Sequence, residues 1–496
     1  MGKPSAGKSS FFNAATHTQG ARVGAHPFTT IEPNTGVALV HVRAPTGAPC
    51  RTVAVPVVLK DVAGLVPGAC DGRGRGNRFL NDLCDADALV HITDASASAD
   101  ANGNLVVAAP QAGVADGVAA ERAPGATSMR EDVAWVHREL SRWVYDNVAD
   151  SWDKVLRRPA HLFNLFTGYH APPALAEKAL HVCAPPPPPL ERARAWCADD
   201  VCALVDSFLA LRFGTVICAN KADLRGATVH IELLRAELAR LAPALAAAVV
   251  PCSALAEGEL QRLEREGIVA LRDSCGAGAD GNGAPLDARA DGDGEGTQPT
   301  VTVTVTLLCA SAPSVRAGGG ADDGTAHRLA PRDAHALELA RRCGFAIVPC
   351  GEDGARALAQ LSSPSAPAER IAGGVQATLQ RAFWLRPPVV AFPVCDLLTA
   401  RSYPLSEAAL REGGDASADR AHVRDVVLLR PGSTVGDLFA ILCHAPYRLL
   451  GGEFVRAEGR PLDEPRAVRQ LRKDEPVAQG CVIKLYSTRK GQRVKQ

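Results

Sequence analysis

Gly2-Lys-Pro-Ser-Ala-Gly-Lys-Ser-Ser10 lies at the start of the chain, and its reading decides the fold. Gly2, four residues and then Gly7-Lys8-Ser9 is the spacing of a phosphate-binding P-loop. Its glycines let the backbone come close to a ligand, so that successive N–H groups, from Gly2 through Ser5, Ala6 and Gly7 to Ser10, can point at phosphate oxygens. Lys8 is placed to reach the β- and γ-phosphates and Ser9 to offer Mg²⁺ a hydroxyl. The apolar residues Phe11, Phe12, Ala14 and Ala15 then start a helix whose N-terminal dipole favours an anion.

Downstream, His26-Pro-Phe-Thr-Thr-Ile-Glu-Pro-Asn34 is broken by prolines and predicts a loop. A threonine there, Thr30, can ligate Mg²⁺ only when a γ-phosphate is present, which turns nucleotide state into loop conformation. Val53 to Lys60 is β-branched and apolar and predicts a buried strand. It delivers Asp61, placed to hold Mg²⁺ through water, and Gly64, whose N–H is free to meet the γ-phosphate. Leu65 occupies the position where a water-orienting glutamine would stand. Gly68 to Leu80 is glycine-rich and predicts a second mobile loop, and Asp87 to Asp94 a further buried strand.

Ala95 to Thr127 is Ala/Gly-rich without periodicity and predicts a surface loop or disordered insertion. Ser128-Met-Arg-Glu131 is a capping box, and Val136, Leu140, Trp143, Val144, Val148, Trp152 and Val155 repeat at helical spacing. After a proline spacer at 185–189, Val201, Leu204, Val205, Phe208 and Leu211 predict a second amphipathic helix. The strand Thr215–Ala219 delivers Asn220-Lys221-Ala-Asp223. A carboxylate at Asp223 can accept from both N1–H and the 2-amino group of guanine, which adenine cannot supply. Val249-Val-Pro-Cys-Ser253-Ala254 repeats the layout, a strand followed by a loop whose backbone can meet the guanine O6. Five signals in this order, several of them following a predicted strand, specify a guanine-nucleotide site together.

Composition is permissive. The 496 residues suit roughly two to four units. With 54 basic and 54 acidic residues, the chain is not a globally basic nucleic-acid binder. Its 15 cysteines show neither Cys-x-x-Cys pairs nor zinc spacing, and read as reduced, mostly buried small hydrophobes. There is no signal-peptide pattern and no run of about 18 apolar residues. The expectation is a soluble, cytoplasmic protein without membrane contact.

These boxes, GKPSAGKSSFFNAAT, PFTTIEPNTG, DVAGLVPGA, NKAD and the Ser253-Ala254 loop, resemble those of the Obg-like branch of the translation-factor class of GTPases, in the subgroup related to YchF. The resemblance covers about residues 2–94 and 214–255 well. It implies GTP/GDP and Mg²⁺ as cofactors, and slow hydrolysis with a hydrophobic residue at the glutamine position, as at Leu65. YchF itself replaces the base-reading box and is associated with ATP, whereas Asn220, Lys221 and Asp223 are all present here. Ser5 stands where potassium-stimulated relatives carry Asn, so no potassium requirement follows. The family has about half a dozen apolar residues before Gly2, and here only Met1 precedes it. The expectation is a reading frame that extends upstream, or else a sheet lacking its central strand.

The fold class expected is α/β, a three-layer P-loop GTPase fold with a helical insertion and a C-terminal β-grasp domain resembling TGS. Residues 1–127 and 214–272 give the two main parts of the nucleotide domain, with 128–213 the helical insertion between them. Residues 273–335 form a low-complexity Gly/Asp-rich insertion, 336–387 the end of the nucleotide domain and 388–490 the β-grasp. Within these, a helix over Glu259–Leu271, a strand at Val301–Leu308 and a last helix over Gly373–Leu385 are expected. In the end module, Asp425–Arg430 predicts a strand, Thr434 a helix cap and Cys481–Tyr486 a closing strand. The basic tail, Lys484, Arg489, Lys490, Arg493 and Lys495, suits ribosome or RNA contact. The competing expectation is a non-hydrolysing nucleotide- or RNA-binding adaptor with a degraded GTPase fold.

Overall fold

The computed structural model describes residues 1–18, 34–43, 52–69, 82–106, 125–224, 226–276, 300–307, 330–343, 345–349, 374–403, 425–444 and 447–489. Thr30, most of the expected second mobile loop, most of the Gly/Asp-rich stretches and the tail from Lys490 lie outside them. The chain divides into two compact units, Met1–Ala38 with Val57–Ser274 and Val303–Arg386, and Leu39–Pro56 with Cys275–Thr302 and Pro387–Gln496.

In the first unit α1 (Lys8–Thr16) follows the P-loop directly. β1 (Asn34–Arg43) and β2 (Thr52–Asp61), which the division splits after Ala38 and after Pro56, pair as a two-stranded sheet. β2 is where expected but is not a buried strand, since Val55 is buried and Val58 is 75% exposed. Among the described residues β2 pairs only with β1, which leaves a face open to solvent.

β3 (Ala88–Asp94), β4 (Gly214–Asn220) and β5 (Val249–Pro251) form a parallel sheet in that order. Their short β-branched runs suit strands covered on both faces. Register runs from Ala88 opposite Gly214 to Asp94 opposite Asn220, so the two polar ends emerge side by side. On the other edge of β3 the Met1 ammonium donates to the Val90 carbonyl (2.8 Å), and the Ile92 N–H donates to the Met1 carbonyl (2.9 Å).

Between β3 and β4 stands a helical block of α2 (Met129–Ala149), α3 (Trp152–Arg157), α4 (His161–Leu165), α5 (Pro173–Val182) and α6 (Ala198–Arg212). Ser128 and Glu131 make the expected capping box. The apolar stripes of α2 and α6 meet in one core with Val62, Leu65 and Leu89, and Phe166 and Phe208 stack at 4.4 Å. The buried Arg212 guanidinium donates to the carbonyls of Tyr169, Ala86 and Cys84, tying the block to the start of β3. The periodic stripe expected to run on through Trp152 and Val155 as one helix is broken after Ala149, and those residues lie in α3; the short helices α4 and α5 escape a periodicity reading because each spans fewer than about three turns.

Residues 95–106 correct the expectation of a structureless stretch. Ala95, Ala97 and Ala99 are buried, Asp100 accepts from the N–H groups of Asn102 and Asn104, and Ala99 bridges to Leu105. Main-chain and Asx-turn bonds hold this segment, and small side chains give them no periodic signature.

The chain continues with α7 (Ala227–Leu241), α8 (Pro243–Ala247), α9 (Ala254–Arg265), β6 (Val269–Gly276), β7 (Thr300–Leu307), α10 (Pro331–Arg342), β8 (Ala346–Pro349) and α11 (Val375–Leu385). The helix expected over Glu259–Leu271 starts earlier, capped by Ser253, and stops at Arg265. Bonds from Gly267 N–H to Glu264 and from Ile268 N–H to Leu263 close its end, and strand begins at Val269.

The second unit contains a five-stranded sheet of β9 (Val389–Pro393), β10 (Val427–Leu429), β11 (Gly451–Arg460), β12 (Arg469–Leu471) and β13 (Cys481–Arg489), ordered β10-β9-β13-β11-β12. β13 runs parallel to β9 and the other pairings are antiparallel. Thr434 caps α12 (Val435–Cys443), whose Val435, Leu438, Phe439 and Leu442 share one core with Ala457, Leu471, Ile483 and Leu485.

Candidate functional site

The site grows from the carboxyl ends of β3 and β4, where open parallel sheets bind ligands. Gly7 caps α1 at φ 93°, and a Cβ there would come within 2.2 Å of the Asn220 amide nitrogen, so only glycine fits. Lys8 is buried and its Nζ donates to the Lys3 carbonyl at 2.8 Å. Burial pushes its ammonium down to about 8, against the pull of Asp61. Ser9 Oγ donates to Asp61 Oδ2 at 2.8 Å, with Asn34 Nδ2 at 3.4 Å from the same oxygen. Ser10 lies in the first turn of α1.

Asn220 joins the P-loop to the segment after β5. Its Nδ2 donates to the Ala6 carbonyl at 2.9 Å and its Oδ1 accepts from the Ala254 N–H at 3.0 Å. Ser253 Oγ donates to Asp223 Oδ1 at 2.6 Å, and Lys221 Nζ lies 2.8 Å from Asp94 Oδ2. Burial works to raise the Asp94 carboxyl, but the Lys221 ammonium and the Ser96 and Ser98 hydroxyls outweigh it and hold it low. Asn220, Ser253 and Ala254 are thus drawn to the P-loop, with Lys221 and Asp223 on the same turn.

Gly64 lies against the P-loop, where an added Cβ would be 2.8 Å from Pro4 Cγ. The next residue, Leu65, donates its N–H to the Gly2 carbonyl and buries its side chain, 1% exposed, in the helical core. No water-orienting side chain stands there.

Lys3 and its partners were not legible as site residues. Lys3 is fully buried, 2.9 Å from Asp132 Oδ2, and donates to Thr127 Oγ1 (2.8 Å) and the Ala99 carbonyl (3.1 Å). Burial raises the Asp132 carboxyl despite that ammonium. Gly103 packs on Pro4, leaving 2.5 Å to a Cβ, and its carbonyl accepts from Ser5 Oγ at 2.7 Å. The one signal in the sequence is a charged residue between Gly2 and Pro4, where solvent is excluded.

Among the described residues no cluster of three His, Cys, Asp or Glu side chains could hold a metal by itself. The Ser9 hydroxyl beside the Asp61 carboxylate suits a hard cation that completes its shell with phosphate and water.

Fold and site together define a P-loop nucleotide-binding protein. Residues 1–111 match the family model described as 50S ribosome-binding GTPase. An uncharacterized GTP-binding protein of Methanocaldococcus jannaschii is 33% identical over 297 residues, 55% of this chain and 67% of that protein. An uncharacterized GTP-binding protein of Schizosaccharomyces pombe is 34% identical over 296 residues, 54% of this chain and 64% of the relative's length. The ribosome-binding ATPase YchF of Pasteurella multocida is 40% identical over 97 residues, 18% of this chain and 26% of its own. The crystal structure of a GTP-binding protein from Pyrococcus horikoshii superposes with a TM-score of 0.51 at 20% identity, covering 98% of each chain, a likeness of fold. The chain belongs to the Obg/YchF-type family of GTP-binding proteins.

Proposed function

We propose that this chain is a GTP-hydrolysing molecular switch acting on the ribosome or RNA. The observation that carries the reading is Asn220, which bonds the P-loop through Ala6 and the base-side loop through Ala254. In this reading those two bonds tie the phosphate cradle to the base reader. In this reading the P-loop N–H groups and Lys8 hold the phosphates, Gly64 senses the γ-phosphate, and Asp223 selects guanine with Lys221, Ser253 and Ala254 around the base. Ser9, Thr30 and Asp61 would hold Mg²⁺, which neutralises phosphate charge when bound. Intrinsic turnover is slow, because Leu65 points into the core and a partner must help position water. The β10-β9-β13-β11-β12 order with one helix on its face supports a TGS-like β-grasp in the second unit. The family description, 50S ribosome-binding GTPase, supports a ribosomal partner.

The test is a titration with fluorescent GDP and ADP in Mg²⁺ for the chain and for Asp223→Asn. The unaltered chain prefers GDP, and the variant loses about 100-fold of that preference. An unchanged preference removes Asp223 as the base reader. The buried Leu65 also favours a second reading, a nucleotide-binding adaptor that does not hydrolyse. Multiple-turnover phosphate release from GTP separates the two.

A further inference from the structure

The turn after β4 that carries Asp223 is held by a residue far outside the boxes read in the sequence. Lys221 stands there at φ 61°, in the left-handed region that favours glycine, and such a conformation persists where its surroundings hold it. Three bonds from the turn itself and the adjoining strand ends do so. The Ala222 N–H donates to the Cys252 carbonyl at 3.0 Å, the Leu224 N–H to the Lys221 carbonyl at 3.1 Å, and the Lys221 ammonium to Asp94. A fourth comes from α10, 119 positions further along the chain, where the Arg342 guanidinium donates to the Asp223 carbonyl. A cation in the last turn of a helix ordinarily serves that helix's own carbonyls. Arg342 reaches across to the turn instead.

The end of α10 bears on Asp223 at a second point. Cys343, the residue after α10, is buried. Burial pushes its thiol up, and a hydrogen bond with Ser253 works against that. The same Ser253 hydroxyl donates to Asp223 Oδ1 at 2.6 Å. Arg342 thus holds the main chain of Asp223, and Cys343 backs the hydroxyl that holds its carboxylate. α10 is seated well enough to set both positions. Its Ala336, Leu337 and Ala340 share a core with Leu260 and Leu263 of α9. Its Asp333 lies 2.9 Å from Arg262, whose guanidinium also meets Glu259 and Glu266. Because α9 is capped by Ser253, the helix carrying Arg342 is registered against the loop on which it acts.

We propose, on the reading of Asp223 as the base reader, that Arg342 is a positioning residue for guanine recognition, aiming the Asp223 carboxylate by holding its carbonyl. α10 thereby belongs to the nucleotide site, and the N1–H and 2-amino group of the purine are the atoms whose recognition it governs. The experiment titrates the full chain with fluorescent GDP in Mg²⁺ and displaces it with unlabelled GDP, IDP and ADP, for the unaltered protein, Arg342→Ala and Arg342→Lys. IDP keeps the N1–H and lacks the 2-amino group, and ADP lacks both. Loss of a bond from a charged donor lowers GDP affinity about tenfold in Arg342→Ala. ADP affinity is unchanged, so the GDP:IDP and GDP:ADP ratios both fall, and Arg342→Lys restores most of each. Arg342 is exposed, so the urea midpoints of the three proteins differ little, as for other surface substitutions. An equal loss of GDP, IDP and ADP affinity in Arg342→Ala marks a merely structural role and overturns the proposal. Unchanged ratios in that variant, with the unaltered chain preferring GDP, overturn it alone. An unaltered chain that binds GDP and ADP equally removes Asp223 as the base reader and this role of Arg342 with it.

Discussion

Replacing Asn220 by Ala tests the frame on which the site is built. Asn220 is 3% exposed, and its two bonds end on Ala6, 0% exposed, and Ala254, 2% exposed. Truncation leaves one carbonyl and one N–H buried without those partners, each costing about 1–3 kcal/mol. The space vacated by the amide can admit a water, which brings the expected loss to about 2–4 kcal/mol, a large share of a typical domain's stability. Urea unfolding followed by tryptophan fluorescence, with and without GDP, reads this directly. The unaltered chain gains about 2.7 kcal/mol when GDP stands at a hundred times its dissociation constant. At the same GDP concentration Asn220→Ala gains visibly less, because Gly7 and Ala254 no longer hold their spacing. Asn220→Asp keeps the acceptor for Ala254 but sets a carboxylate against the Ala6 carbonyl, and is at least as destabilised. A loss below about 0.5 kcal/mol in the Ala variant, with the GDP gain intact, would refute the argument.

Two further outcomes follow from buried charge. Lys3→Met alone leaves Asp132 buried without its cation and costs about 3–5 kcal/mol, whereas Lys3→Met with Asp132→Leu costs less than the sum of the single changes, the remaining loss coming from Trp135 Nε1 and Thr127 Oγ1, which bonded Asp132 Oδ1. A double-mutant cycle by urea unfolding measures both, and additive losses would show that the two side chains do not act as a pair. Glu257, in the first turn of α9, accepts from the Val375 N–H at 2.8 Å. Burial pushes its carboxyl up to about 7, against the Val375 N–H and the Cys252 thiol. The neutral form is therefore favoured in the folded chain. Its stabilisation is complete below about pH 4.5 and is lost as pH rises through about 7, by about 2 kcal/mol once partial exposure is allowed for. Glu257→Gln removes that dependence, so the two proteins converge near pH 4.5 and diverge by pH 8. Parallel urea midpoints across that range would exclude the titration.

What could be read in the sequence was whatever a side chain announces locally. The P-loop glycines, the Ser128 and Thr434 caps, and the apolar runs of β3, β4 and α11 each carry their reason within a few residues. The pairing of Ser9 with Asp61 follows from box order alone. Lys3 with Asp132 does not, because nothing near either residue names the other across 129 positions. The segment 95–106 escaped for a different reason: backbone and short polar turns hold it, and alanine is silent about burial. β2 looked like a core strand because Val and Leu alternate poorly there, yet exposure follows its partners and not its composition.

The nine residues of the P-loop take their bonds from Ala99, Gly103, Asp132, Asn220 and, through Asn220, Ala254. During synthesis the loop leaves the ribosome about 250 residues ahead of its last support. At about 5–20 residues per second, some ten to fifty seconds separate the two. Throughout that interval the nascent chain carries the phosphate-binding sequence without the phosphate-binding shape. The P-loop therefore gains the shape in which Asn220 and Ala254 hold it only when the segment after β5 has emerged.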